Sequence, residues 1–453
     1  MKIDIENTLI SLIIFQICVL CGFAVDYHSV LAFFLTFSLV KTKSLKFILF
    51  DPVRTRQDLL PLTYTRPIAD CRLGIMTIRE KWEHFLSEKT LSLTEPYLEA
   101  KFPFTVLAPS PSERSGGEVG AHIYINGSVI PDASLVVQIR YLKEEQALID
   151  GTHVIAYHSA KPQLNYENIE AIAASADKVS AGSYSKISFP YDIFKMNGAE
   201  IVKDFELLTK GRVSQSLSET NTLLGDASHI FIEEGASVEC STFNVKGGPI
   251  YIGRDAEIME GCLVRGPFAL GDHAGLKMAA KIYGATTVGP HCRVGGEVSN
   301  GVFFGYSNKG HDGFVGNSVI GEWCNLGADT NTSNLKNNYG NVDVWNYREG
   351  KYVSTGMQFH GLIMGDHSKS SINTMFNTGT VVGVAANVFD SGFPDKFIPS
   401  FTWGGAEGVE TFRFDKALEV AVRMMERRHV ELTQADIDIL KVVFEKDKIY
   451  RAK

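Results

Sequence analysis

The stretch IGRDAEIMEGCLVRGPFALGDHAGLKMAAKIYGATTVGPHCRV (252–294) decides the fold. An aliphatic residue stands at every sixth position through it: Ile252, Ile258, Val264, Leu270, Leu276, Ile282, Val288 and Val294. A period of six suits neither an α-helix nor an amphipathic strand. It suits a short strand plus a turn, repeated as one face of a triangular prism. Three such faces make a coil, each aliphatic residue points at the prism axis, and stacked coils bury a continuous column. Glycine follows at 253, 271, 289 and 295, where a corner can demand a positive φ that glycine accepts without strain. Pro267 and Pro290 fall in turn positions. The expected architecture is a left-handed parallel β-helix of hexapeptide repeats, running from about Ile232 to Val388.

Working outward, the phase begins at Ile232 and Val238, with an insertion near Gly247. It resumes at Phe314, Ile320 and Leu326, and again at Met364, Ser370, Phe376, Val382 and Val388. The polar stretch Thr332 to Leu362 breaks it, and excursion loops of that length are usually functional. After Gly408 the spacing becomes helical, with Phe414, Leu418, Ala421, Val422 and Met425 on one face. Thr433 and Asp436 are spaced as a capping box before a second helix. Two helices are expected to close the open end of the prism.

Upstream, residues 45–208 read as mixed α/β. Strands are expected at Phe47–Phe50, Phe104–Leu107 and Val154–Tyr157, and a helix at Ile75–Leu86. That alternation suits an open nucleotide-binding sheet, although neither G-x-G-x-x-G nor G-x-x-x-x-G-K-[ST] is present. Gly116 to Gly120 reads as a turn. The expected domains are a hydrophobic extension (1–44), an α/β domain of Rossmann-like type (45–208), the β-helix (209–408) and C-terminal helices (409–453).

The chain is ordinary for a folded protein, 45% hydrophobic and 21% charged, and its net charge of -8 argues against a nucleic-acid footprint. Of seven cysteines, Cys18 and Cys21 form a C-x-x-C that falls by chance in an apolar run, and no pair after position 21 has a metal-ligand spacing, which suggests reduced thiols and a cytoplasmic location. Residues 9–40 are largely apolar. Three readings of them stay open: a membrane anchor, a mis-called start, or a buried helix. Membrane association is expected only through that segment.

Leu59-Leu60-Pro61-Leu62-Thr63-Tyr64-Thr65-Arg66-Pro67 resembles the opening of sugar-phosphate nucleotidyltransferases. With a hexapeptide β-helix behind it, the chain resembles the bifunctional UDP-N-acetylglucosamine pyrophosphorylase/glucosamine-1-phosphate N-acetyltransferase family, in a divergent bacterial branch. Segments 248–253, 307–313 and 333–339 carry the likeness further. The resemblance implies N-acetyl transfer from acetyl-CoA to glucosamine-1-phosphate, uridylyl transfer from UTP with Mg²⁺, and a homotrimer. It also implies roles. His311, within Lys309-Gly310-His311-Asp312-Gly313, would be the base that deprotonates the attacking amine, a task suited to imidazole. Lys281, Lys309, Asn325 and Asn334 would hold the sugar phosphate. Ser370, Ser371 and Ala386 would meet the acyl carrier.

The first half departs from the pattern. Phe50 to Arg56 replaces the glycine-rich phosphate loop, and Ile68 stands where the family has a phosphate-binding lysine. Arg54, Arg56, Arg66 and Arg72 are then the candidates for nucleotide phosphates, and Asp51 and Asp70 for the metal. Two other classes compete on this scaffold: a carbonic-anhydrase-like zinc enzyme using His311, His360 and His367, and a non-catalytic assembly or binding protein.

Overall fold

The computed structural model describes residues 46–104, 122–160 and 164–451. The apolar N-terminal run, most of the strand expected at Phe104–Leu107 and the Gly116–Gly120 turn lie outside the described residues.

The first described element is β1 (Lys46–Phe50), whose residues Phe47 to Phe50 are apolar and buried, as expected for a strand covered on both faces. A short helix α1 (Val53–Asp58) follows. The next helix, α2, is Ile78–Leu86. It starts three residues later than expected, because Thr77 closes a capping box with Glu80 and Met76–Thr77 pairs as a strand with Arg72–Leu73. Then come β2 (Leu91–Leu93), β3 (His122–Asn126), α3 (Ala133–Arg140), β4 (Gln146–Asp150), β5 (His153–Ser159), α4 (Ile169–Ser175) and β6 (Asp177–Ser180). The sheet order is β2-β1-β3-β5-β4-β6. The β1 strand is parallel to both neighbours, so its C-terminal end is the switch point at which open α/β sheets bind ligands.

The long helix α5 (Pro190–Thr209) joins this layer to the β-helix. Three parallel ladders build the prism. Ile230–Ile232, Ile250–Ile252, Phe268–Leu270 and Thr286–Val288 begin the first face. Ser237–Val238, Glu257–Ile258, Gly275–Leu276, Arg293–Val294, Asn308–Lys309 and Asn325–Leu326 run up the second. Thr242–Asn244, Leu263–Arg265 and Lys281–Tyr283 begin the third. All eight residues of the sixfold series are at most 2% exposed and share one core. The later phase holds from Met364 through Phe376 to Val388. At Phe314 it slips by one. Phe314 is half-buried and faces outward, and Val315 takes the axis. The strand Phe314–Glu322 turns its corner at Asn317, whose φ is 46°, with five residues instead of six between inward positions.

The faces are not equally free. The first is covered by α5: Asn197 Nδ2 donates to Ala285 O at 2.8 Å, and Thr287 Oγ1 donates to Gly74 O at 2.9 Å. Ile201 and Phe205 pack on Phe231, Tyr251 and Ala269 there. Helices α6 (Phe414–Glu426) and α7 (Gln434–Lys446) follow the prism, α7 carrying the Thr433/Asp436 capping box. They lie against the prism's flank as well as its last coil. Arg428 Nη2 donates to Asn308 Oδ1 at 3.0 Å, and Asp447 Oδ2 accepts from Ser400 N–H at 2.9 Å. Among the described residues the third face stays open, with Leu263, Tyr283 and Met375 exposed along it.

Candidate functional site

His311 sits on the corner between the second and third faces, exposed, in a four-residue turn. The turn is held from inside. Lys309 occupies an axis position, in register with Val294 below, and is wholly buried. Its ammonium donates to His311 O at 2.7 Å and to Asp312 O at 3.0 Å. Burial pulls that ammonium down to about 8. Below, Gly296 adopts a φ of 68°, and a Cβ there would press on the carbonyl oxygens of His311 and Gly313. The His311 backbone is therefore fixed by a buried cation on one side and by close coil packing on the other, while the ring is left to solvent.

Lys309 is thus a support for the base candidate and not a sugar contact, since a side chain on the prism axis cannot reach an outside ligand. Its depressed pKa carries a stability prediction. A base whose folded pKa lies below its unfolded value weakens the fold while the ammonium stays charged, and the fold gains as pH rises from about 8 to 10.5. Lys309→Met should raise unfolding free energy at pH 7 by about 1–3 kcal/mol and should remove that alkaline gain. It should also lower transferase turnover by loosening the turn. Denaturant titrations at pH 7 and 10 beside a rate measurement check all three.

The other candidates divide. Lys281 is exposed on the third face, two coils below His311 through the register Lys281, Glu297, Phe314. Ser371 lies on the same corner as His311, where Asp329 N–H bonds to Asp312 O and Asn373 N–H to Ala328 O. At roughly 4.8 Å per coil, each stands about 10 Å from the His311 coil along the prism. Exposed Met278 and Ile372 share that edge. Asn325 is half-buried on the second face, in register with Asn308 and Lys369. Three expectations fail. Ser370 points into the prism, with its Oγ 2.8 Å from Thr330 Oγ1, and Ala386 is 1% exposed, so neither can touch a carrier outside. Asn334 spends its amide on Asn317 Oδ1 at 2.8 Å, and Asn317 Nδ2 reaches the Asn300 carboxamide at 2.9 Å. Asn300, Asn317 and Asn334 form an asparagine ladder up the third corner.

A second ladder escaped the sequence reading. Three residues after first-face inward positions stand His273, His291, Tyr306, Trp323 and His367, all at positive φ. Their rings stack in series with centroids 4.9, 4.5, 4.1 and 6.3 Å apart. An aromatic or imidazole ring three places beyond each inward residue was the available signal. His367, half-buried beside Met425 of α6 and Leu440 of α7, is held down to about 3 by desolvation, and His360, fully buried, to about 4. Neither shares a location with exposed His311. No cluster of three or more His, Cys, Asp or Glu able to hold a metal occurs among the described residues, so the zinc-triad geometry is not formed there.

At the switch point of the α/β sheet the charges are already spent. Asp51 is buried and accepts from Arg56 Nη1 at 2.7 Å, Thr94 Oγ1 at 2.5 Å and Ile68 N–H at 2.9 Å. Asp70 is bound through both oxygens by Arg79 at 2.8 Å. Neither carboxylate fits a Mg²⁺ ion without dismantling these bonds. The arginines fare alike. Arg56 also donates to Arg66 O at 3.0 Å and to Thr63 O. Arg66 is 5% exposed, pairs with Asp366 and with Glu322 at 3.2 Å, and lies over the Phe304 ring. Arg72 donates to Phe304 O at 3.0 Å. These last two tie the α/β layer to the β-helix, while Arg54 lies on the surface with its Nε 4.0 Å from Asp58 Oδ2. Where a phosphate loop would offer backbone amides, Val53 N–H is taken by Glu170 Oε2 at 3.1 Å. A cavity of about 300 Å³ beside this end is lined by Arg56, Glu95, Tyr97, Arg348 and Lys446. Its cations are balanced: Arg56 on Asp51, Arg348 on Asp58 and Lys446 on Glu95.

Residues 47–213 match the family model described as sugar nucleotidyl transferase. The chain is 34% identical over 87 residues to the "Bifunctional protein GlmU" of Methanococcus maripaludis, covering 19% of this chain and 20% of that protein. It is 33% identical over 93 residues to the "Bifunctional sugar-1-phosphate nucleotidylyltransferase/acetyltransferase" of Sulfurisphaera tokodaii, covering 20% and 23%. The chain thus spans about a fifth of the length of the curated relatives it matches. Among solved structures, the Arabidopsis UDP-N-acetylglucosamine acyltransferase superposes with a TM-score of 0.22 at 11% identity, over 52% of this chain and 92% of that one. The N-acyltransferase AntD from Bacillus cereus does so with a TM-score of 0.22 at 11% identity, over 48% and 100%. Residues 47–213 are thus similar to a sugar nucleotidyl transferase and stand ahead of a left-handed β-helix, and bifunctional nucleotidyltransferase/acetyltransferase proteins match the chain over segments of about 90 residues.

Proposed function

We propose that the chain is a transferase whose β-helix moves an acetyl group from acetyl-CoA to the amine of glucosamine-1-phosphate, with His311 as the base. One observation carries this: an exposed imidazole on a turn that a buried lysine and a glycine contact hold rigid. A surface histidine without a task needs no such support. In the step proposed, the amine nitrogen attacks the thioester carbonyl as His311 takes its proton. The C–N bond forms, the C–S bond breaks, and the coenzyme A thiolate receives a proton in leaving. Lys281 would meet the sugar's phosphate as a point charge. Ser371, with Met278 and Ile372 along the same edge, would border the carrier's arm. Asn325 would approach the sugar from the second face. The open third face is the surface on which neighbouring subunits of a homotrimer would complete the groove. The test is thiol release from acetyl-CoA with glucosamine-1-phosphate as acceptor.

Uridylyl transfer is a second reading, favoured by the family match over residues 47–213. Under it, UTP, N-acetylglucosamine-1-phosphate and Mg²⁺ would release pyrophosphate. The switch point weighs against it, because Asp51, Asp70 and Arg56 are committed to one another's neighbours and Glu170 fills an amide that a phosphate would need. We expect pyrophosphate release below a hundredth of the acetyl-transfer rate, and a ratio near one would restore the bifunctional reading.

A further inference from the structure

We infer that a basic groove near the first coils of the prism is a binding site for a phosphoryl group. The groove, of about 330 Å³, is lined by Asn244, Lys246, Gly247, Arg265, Gly266 and Tyr283, and continues to Gly284. It sits where the third face turns into the first. Its two cations come from successive coils, since Asn244 and Arg265 are paired in register. Unlike the cations of the α/β switch point, neither Lys246 nor Arg265 has an acidic partner among the described residues, and both side chains are exposed. The Glu297 carboxylate nearby accepts from the Tyr283 hydroxyl.

The floor carries glycines that coil packing requires: a Cβ on Gly266 would overlap the Gly248 carbonyl of the neighbouring coil, and Gly284 adopts a φ of 63°. The corner is therefore stripped of side chains over coils that carry the free cations at their rim. Asn244 adds a carboxamide whose oxygen is turned back to Lys246 N–H at 3.1 Å, which leaves its NH₂ as a donor toward the groove. Tyr283, anchored by its hydroxyl and 38% exposed, supplies a fixed ring wall. Two unpaired cations, an amide donor and a bare backbone floor match the tetrahedral, multiply charged phosphoryl group better than a carboxylate, which one arginine would satisfy. The groove is separate from His311, which lies on the opposite edge of the third face and on a later coil.

The test is equilibrium dialysis of labelled pyrophosphate against the full chain at low salt. Lys246→Ala/Arg265→Ala should weaken binding by about tenfold or more, and added salt should weaken the wild type. Lys178→Ala, which removes an exposed charge elsewhere, should leave it unchanged. Both groove side chains are exposed, so the double variant should fold, and an unaltered thermal transition would show it. Competition then names the source of the phosphate. Displacement by coenzyme A but not dephospho-coenzyme A assigns the carrier's nucleotide end. Displacement by glucosamine-1-phosphate assigns the sugar. Resistance to both leaves free pyrophosphate as the ligand. Equal affinity in wild type and double variant, or no wild-type binding at millimolar pyrophosphate, overturns the site.

Discussion

Asp366→Ala should cost about 3–5 kcal/mol of unfolding free energy, the range for stranding one partner of a buried ion pair. Asp366 lies on the prism and Arg66 on the α/β layer, both nearly inaccessible. The carboxylate serves more than Arg66. Oδ2 also accepts from Thr65 Oγ1 at 2.7 Å, and Oδ1 accepts from Glu322 N–H at 2.8 Å. Alanine would strip three donors of their acceptor at once and leave Arg66 only the Glu322 carboxylate, at 3.2 Å. The penalty should be largely reversible. An Arg66→Met/Asp366→Leu double replacement removes both charges and should recover most of the loss, as apolar substitutes for buried pairs generally do. Urea titrations of the four combinations give the coupling. A single-variant loss under 1 kcal/mol would mean that apolar packing of α5 on the first face holds the two layers together without the pair.

That ion pair also marks where sequence stops being informative. The prism was legible because its physics is periodic: each coil must send one small or aliphatic side chain per face to the axis, so Ile252 through Val294 announce themselves. Lys309 and Ser370 occupy the same axis without being apolar. Lys309 can do so because two turn carbonyls receive its ammonium, and Ser370 because Thr330 receives its hydroxyl. Such compensation depends on neighbours a coil away and is invisible to spacing. Asn334 shows the same limit, since its partner Asn317 is 17 residues distant and belongs to a ladder defined only by coil length. In the α/β half, Arg56, Arg66 and Arg72 carry the composition of a phosphate site. Only three-dimensional pairing reveals that Asp51, Asp366 and a backbone carbonyl have claimed them. His311 was legible because glycines on both sides of a polar pair in a repeat mark a corner, and corners of this prism project outward.

His311→Ala should reduce acetyl transfer by about 100-fold to 10,000-fold, the usual contribution of a positioned general base. The amine of an amino sugar is largely protonated near neutral pH, so attack requires that its proton be removed in the productive complex. The turn supplies a fixed site for that removal, and the exposed ring makes no hydrogen bond among the described residues. Removing the ring should therefore lower turnover while leaving KM for acetyl-CoA within a few-fold. His311→Gln, which keeps a polar side chain but cannot take a proton near pH 7, should fall with the alanine variant and not with the wild type. Lys309→Met should behave differently: it keeps the imidazole and loses the carbonyl contacts, so its rate should fall less. Thiol release with glucosamine-1-phosphate reads all three variants. A His311→Ala rate above a tenth of wild type would remove His311 from the chemistry and leave the rigid turn as a structural corner of the prism.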